Sequence, residues 1–436
     1  ADLAADFNRM SGYVEEYVGR LQEAARQNRE LFISSIRAFA AEQLHAGGEV
    51  DAVRAMHADH YLAVAIAVDA GIQGTGQREA MQRGKLENAN FFAAIAFLVA
   101  QARIGNADAL EKGLHICGAL GWYWHIVGLH LAAQGSVDEL LAMAQDLPPS
   151  RGRGKACFTS GMISANTGAL DVASRTWALM ASDGLALGDD EIAGFGPGGT
   201  GYAMLGLGQF AEAGPFLDEA VTTSARSGNE FLFAMMMTIQ GMQQFLVGDL
   251  ERGLATVERA RAIQVRIGDG EGGGMALSFL AQMQFAKGDI SRAMELYRQS
   301  EVDFTTVGDK PELARVQGEQ GYLALAASDL PAARGHFVRA LRSNDEIGSP
   351  RGIGQVMLGL AATEAAAGNS ARAMQIAAAA EAMSRRAGVV VEHPMAPDLA
   401  NRIAALRAGI RTDDLAALTL QGEVLTPAAV LEMMAA

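Results

Sequence analysis

The stretch Gly161-Met-Ile-Ser-Ala-Asn-Thr-Gly168-Ala-Leu-Asp-Val-Ala173-Ser-Arg-Thr-Trp177-Ala-Leu-Met180, closed by Gly188, carries the pattern that decides the fold. A residue without bulk is followed seven positions on by a turn glycine and five later by a second small residue. Two helices whose small residues face each other can approach closely and cross as an antiparallel pair. Trp177 lies one helical turn beyond Ala173, on the same stripe, so it should fill the space between neighbouring pairs.

Shifted by 40 residues, the first position reads Gly201, Gly241, Ala281, Gly321 and Ala361, and the turn position reads Gly208, Gly248, Gly288, Ser328 and Gly368. The second small position gives Ala213, Gly253, Ala293, Ala333 and Ala373, and the large one Leu217, Val257, Tyr297, Phe337 and Ala377. Gly188, Gly228, Gly268, Gly308, Gly348 and Gly388 end the units. This order resembles the tetratricopeptide pattern, drawn out from its usual repeat of about 34 residues. The expected fold is an all-α, tetratricopeptide-like α-solenoid of antiparallel helix pairs with a 40-residue repeat, each unit stabilised by stacking on the next.

The expected organisation is an N-terminal helical region over 1–108, a degenerate repeat over 109–148 in which Gly121, Gly128 and Ala133 keep register, six repeats over 149–388, and a C-terminal helical cap over 389–436. Helices are expected through Leu31–His45, Ala52–Asp69 and Arg78–Ile104. A link through His393-Pro394 and Pro397 should lead to an amphipathic helix and then to a short one opening at Thr426-Pro427, a cap followed by proline at the first helical position.

Composition excludes several function classes. A formal charge of −15 and pI near 5.0 oppose direct nucleic-acid contact, which draws on clustered Lys and Arg. The run Phe91 to Ala100 is about half of a membrane crossing, and two cysteines, Cys117 and Cys157, suit a reducing compartment as buried thiols. The expectation is a cytoplasmic chain without membrane contact.

Signals for chemistry are weak. Arg151-Gly-Arg-Gly-Lys155-Ala156 lacks the first glycine and the hydroxyl of a phosphate loop. Gly194, Gly196 and Gly199 satisfy G-x-G-x-x-G, but dinucleotide binding needs a preceding strand. The run Gly194-Phe-Gly-Pro-Gly-Gly-Thr-Gly201 weakens a helix by roughly 1 kcal/mol per glycine and about 3 for an interior proline. A late-starting helix with an irregular lead-in is expected there; a hinge or ligand-facing break is the other reading. The eight histidines show no paired spacing with carboxylates, and His57 and His60 read as a solvated face, so no metal, cofactor or catalysis is expected.

The flanks carry a more specific resemblance. Leu31-Phe-Ile-Ser-Ser-Ile-Arg-Ala-Phe-Ala-Ala-Glu-Gln-Leu44, Gly48-Glu49, Arg54 to Tyr61, Glu87-Asn88-Ala-Asn90, Gly121-Trp-Tyr-Trp124 and the tail from Ala379-Ala-Glu-Ala-Met383 through Leu425-Thr-Pro-Ala-Ala-Val430 resemble bacterial regulators of the signal-transduction ATPase class. That family includes LuxR-type and AfsR-type transcription regulators and some nucleotide cyclases. The likeness spans roughly residues 31 to 436. It implies a sensor portion of a regulator, with ATP hydrolysis and DNA reading outside this chain; residues 1–30 do not read like the winged-helix hairpins of that family.

A curved array presents first-helix side chains on its concave face. Counting from the small residue, positions one and four later, and three and six earlier, should point inward. They give His115, Trp122 and His125, then Lys155, Phe158 and Met162, Phe195 and Tyr202, and Met235, Met242 and Phe245, followed by Met275, Gln282 and Phe285, and by Arg315, Tyr322 and Gln355. This lining is rich in methionine and aromatics and poor in charge, which suits a peptide, a protein segment or an apolar small-molecule inducer. The expected function is a ligand- or protein-binding sensor module; the alternative is a free-standing scaffold for protein assembly. Homo-oligomerisation is compatible with either.

Overall fold

The computed structural model describes residues 46–387 and 398–435, and separates residues 1–60 from 61–436 as two compact units. The helix expected through Leu31–His45, the marker Gly388, and the link through His393-Pro394 and Pro397 lie outside the described residues. The first unit is described only from residue 46, and α1 (Val50–Ile72) begins within it. Everything that follows concerns the second unit.

Helices α2 (Gln77–Arg103), α3 (Ala107–Ala119), α4 (Gly121–Val127) and α5 (His130–Met143) precede the regular array. The pairs are α6 (Arg151–Asn166) with α7 (Leu170–Leu187), α8 (Asp190–Gly206) with α9 (Phe210–Ser227), and α10 (Glu230–Leu246) with α11 (Leu250–Ile267). Then come α12 (Gly270–Ala286) with α13 (Ile290–Val307), α14 (Lys310–Ala326) with α15 (Leu330–Glu346), and α16 (Pro350–Ala366) with α17 (Ser370–Ala387). Helices α18 (Leu399–Ala408), α19 (Thr412–Glu423) and α20 (Pro427–Ala435) close the chain, and α19 packs on α17. No strand occurs among the described residues.

Each first helix opens on a side-chain cap that recurs with the repeat. Ser150, Asp189, Asn229, Asp269, Asp309 and Ser349 accept from the backbone N–H groups of Arg153, Ile192, Leu232, Gly272, Glu312 and Gly352, satisfying donors that a helix start leaves unpaired. The turn positions adopt positive φ, where glycine is strain-free; Ser328, at 60°, is the one non-glycine residue among those described that does so.

The crossings form as the small residues require. A Cβ at Gly201 would stand 2.7 Å from Leu217, at Gly241 2.5 Å from Val257, and at Gly321 2.6 Å from Phe337; at Gly161 it would overlap the Trp177 indole. Trp177, Leu217, Val257, Tyr297, Phe337 and Ala377 are fully buried, and Trp177 and Phe337 each also press on a glycine of the next pair, Gly199 and Gly359.

The glycine-rich run departs from both readings of it. Helix α8 starts in register at Asp190 and runs unbroken through Pro197 to Gly206, so there is neither a late start nor a break. Close packing is the physical reason. A Cβ at Gly196 would lie 2.5 Å from the Ala181 nitrogen, and one at Gly198 or Gly199 would overlap Met236 or Trp177. The propensity lost at these glycines is offset by apolar surface that a bulkier residue would hold apart.

Candidate binding groove

One edge of the array is crossed by the chain's own N-terminal corner, where α1 ends and α2 begins. Lys155 Nζ lies 2.8 Å from Asp69 Oδ2, and Asn229 Nδ2 donates to Gln73 Oε1 at 3.0 Å. Gln77 Nε2 donates to Asp269 Oδ1 at 3.2 Å, while its Oε1 accepts from the N–H groups of Gly270 and Glu271 at 3.0 and 3.2 Å. The corner thus steps along the N-terminal parts of the first helices α6, α10 and α12, and α2 reaches α13 while α4 reaches α14.

Beside it lies a half-open aromatic recess with a cavity volume of ≈ 50 Å³, rimmed by Asp69, Gln73, Lys155, Glu191 and Asn229. The Trp122 ring centre is 5.0 Å from Phe158, 6.5 Å from Phe195 and 5.7 Å from Phe231. Phe158 and Phe195 meet edge-to-face at 4.5 Å. Position counting missed Phe231, although it stands one helical turn before Met235; carrying the stripe one turn further back would have found it.

Not every candidate lines an accessible surface. Tyr202 is 44% exposed. His115, Trp122, His125, Lys155, Met162, Met242, Phe245, Met275, Gln282, Phe285, Arg315 and Gln355 are half-buried. Phe158, Phe195 and Met235 are buried, because the aromatic cluster closes over them. Tyr322, expected in the groove, is core: only 3% exposed, it packs 5.0 Å from Phe337 and donates its hydroxyl to the Gln355 carbonyl at 2.6 Å. Phe337 leans across Gly321, and its neighbour Tyr322 follows it inward.

The lining is also more charged than expected. Arg315 donates to Glu312 at 2.8 Å, to Glu319 at 2.7 Å and to the Ser278 hydroxyl at 2.9 Å, and Gln282 donates to Glu319 at 3.3 Å. Counting inward positions found Arg315 but not its partners, nor the carboxylates that recur at first-helix starts. Tyr202, although on an early repeat, lies within electrostatic reach of Glu271, Glu312 and Arg315.

His125, Glu271 and Asp309 bring one ligand atom each within 4.8 Å of one another, a grouping of metal-ligand types where the sequence led to none being expected. Burial, with help from the charge of His130 and against that of Glu312, pulls the His125 imidazole down to about 4. Burial and then the charges of Asp269, Asp309 and Glu312 push the Glu271 carboxyl well above the usual range; burial and then Glu312 do the same to Asp309. Among the described residues no helix is long and apolar enough to cross a membrane.

No protein-family model matches the chain, and no curated protein matches it. Among solved structures it is similar to a Rap protein complexed with competence and sporulation factor, with a TM-score of 0.52 at 10% identity, over 84% of this chain and 99% of that one. It is also similar to a signal transduction ATPase with numerous domains and a tetratricopeptide repeat sensor from Pyrococcus horikoshii, with a TM-score of 0.48 at 14% identity, over 80% of this chain and 54% of that one. BtubC from P. vanneervenii gives a TM-score of 0.40 at 20% identity, over 56% and 94%. At such identities the likeness is one of fold. The chain is an all-α solenoid of tetratricopeptide-like helix pairs.

Proposed function

We propose that the inner face of residues 61–436 binds a peptide, a protein segment or an apolar small molecule, and that the chain is a sensor module which catalyses no reaction itself. The observation that carries this reading is the exposure of Tyr202 among candidate lining residues that are otherwise half-buried or buried. Half-buried Met162, Met242, Met275 and Phe245 lie on the first helices α6, α10 and α12, and methionine adapts to irregular apolar partners. An amphipathic helix fits such a lining, apolar on one side and polar on the other. The resemblance of the flanks to LuxR-type and AfsR-type regulators supports a cytoplasmic transcription or signalling regulator as the setting, and the Rap structure of like fold is itself a complex.

Selection of amphipathic peptides on the full chain tests the reading. Binders should lose affinity by about tenfold or more in Tyr202→Ala or Phe245→Ala, as expected for anchor residues, while the melting temperature stays close to that of the parent. Binders that tolerate both substitutions equally would place the site elsewhere.

A further inference from the structure

We infer that His125, Glu271 and Asp309 form a binding site for a divalent first-row transition cation of the zinc type on the inner face of the array. The three side chains come from α4, from the first turn of α12 and from the cap of α14. Asp309 is fully buried. Its Oδ1 accepts the Glu312 N–H at 2.9 Å, which completes the helix cap, while its Oδ2 has no hydrogen-bond partner. A buried carboxylate oxygen left without a donor is costly, and this one stands in the group with an imidazole and a second buried carboxylate.

Charge balance points the same way. The nearby cation, Arg315, is engaged by Glu312, Glu319 and Ser278, and neither Glu271 nor Asp309 has an ion pair among the described residues. A divalent ion would displace the carboxyl protons, and its two positive charges would balance the two carboxylates so formed beside a neutral imidazole. A nitrogen donor beside two oxygen donors suits zinc and its neighbours better than magnesium or calcium, which take oxygen alone.

Donors sharing a zinc ion lie about 3.3 Å apart, so modest rotamer changes would close the trio. His125 Nδ1 is 3.1 Å from Asn166 Nδ2, so metal support requires the Asn166 amide to turn over. With the amide oxygen turned toward a protonated Nδ1, Nε2 presents its lone pair, the usual outer support of a metal-bound imidazole. His125 is half-buried, which gives the ion a route from the groove. Three protein donors leave at least one coordination position free.

Isothermal titration of the chelator-treated full chain with zinc chloride, together with visible spectra after cobalt(II) addition, tests the site. One saturable zinc per chain is expected, with a tetrahedral cobalt band. Affinity should fall at least tenfold in Asp309→Asn, Glu271→Gln and His125→Gln. Asn caps a helix as well as Asp, so Asp309→Asn separates ligation from folding, and far-ultraviolet circular dichroism checks each variant. Zinc binding that survives all three substitutions but disappears in His57→Ala/His60→Ala would assign it to that pair and overturn the inference. So would the absence of saturable binding, or binding of magnesium or calcium alone and independent of His125. Peptide binding by the groove is scored separately, so either result can stand without the other.

Discussion

Arg153 and Asp183 face each other as a two-pronged ion pair inside the first repeat, Nε to Oδ2 at 2.7 Å and Nη2 to Oδ1 at 2.6 Å, with side chains only 7% and 2% exposed. The remaining nitrogen, Nη1, donates to the carbonyls of Ala144 and Leu147 at 3.0 and 2.7 Å, tying the end of α5 to α6. Removing one partner strands a buried charge. Asp183→Ala should therefore cost about 3–5 kcal/mol in urea denaturation, and Arg153→Met/Asp183→Leu should cost less than that single change. A loss below about 1 kcal/mol in Asp183→Ala would mean that water already screens the pair.

Gly199 supplies a sign test. Helix propensity alone favours alanine over glycine by about 1 kcal/mol, yet a Cβ at this position would overlap the Trp177 ring. Gly199→Ala should lower stability by roughly 1–3 kcal/mol, the usual cost of overpacking, and should be milder in a Trp177→Leu background. A rise in melting temperature on Gly199→Ala would show that Trp177 moves aside freely.

Tyr202 and Tyr322 occupy the same position in different repeats and should behave oppositely. Tyr322→Ala removes a buried ring and its hydrogen bond to Gln355, so a loss of about 3–5 kcal/mol is expected. Tyr202→Ala removes an exposed ring and should change stability by less than about 1 kcal/mol. Thermal melts of the two variants decide it. Equal losses would make the inner wall a core.

Burial pushes the thiols of Cys117 and Cys157 from 9.0 up to about 12. Between these values the unfolded chain has released its thiol protons while the native chain keeps them. The stabilising difference is thus whole below about pH 9 and is lost as pH rises toward 12, at up to about 1.4 kcal/mol per pH unit for each thiol. Denaturation at pH 8.5 and 10.5 should show this decline, and Cys157→Ala should make it shallower. At pH 8 a thiol reagent should label neither cysteine until the chain unfolds; rapid labelling of the native protein would contradict their burial.

The fold was legible because its determinants are local and periodic. Gly161 and Trp177 sit in one helix pair, and the same relation returns at Gly321 and Phe337. Pro197 and its glycines misled because propensity counts what a residue costs in isolation, while Trp177 and Met236 supply what it gains. Tyr322 was misplaced for a similar reason: position in the register sets the direction of a side chain, but Phe337 decides whether that direction is open. His125, Glu271 and Asp309 lie on three separate helices, and no spacing rule connects residues that meet only through the tertiary fold.

The N-terminal corner changes how such an array comes apart. In a plain solenoid each unit touches only its neighbours, so melting proceeds from the ends inward, one unit at a time. Here Gln77 is bonded to Asp269, 192 residues away, and Gln73 to Asn229, 156 away. Such distant links raise the contact order, which slows folding, and they should couple early and middle units so that these melt together. The corner acts as a clasp on a necklace, so removing the chain up to and including Gln77, which takes away both links, should loosen repeats far beyond the cut.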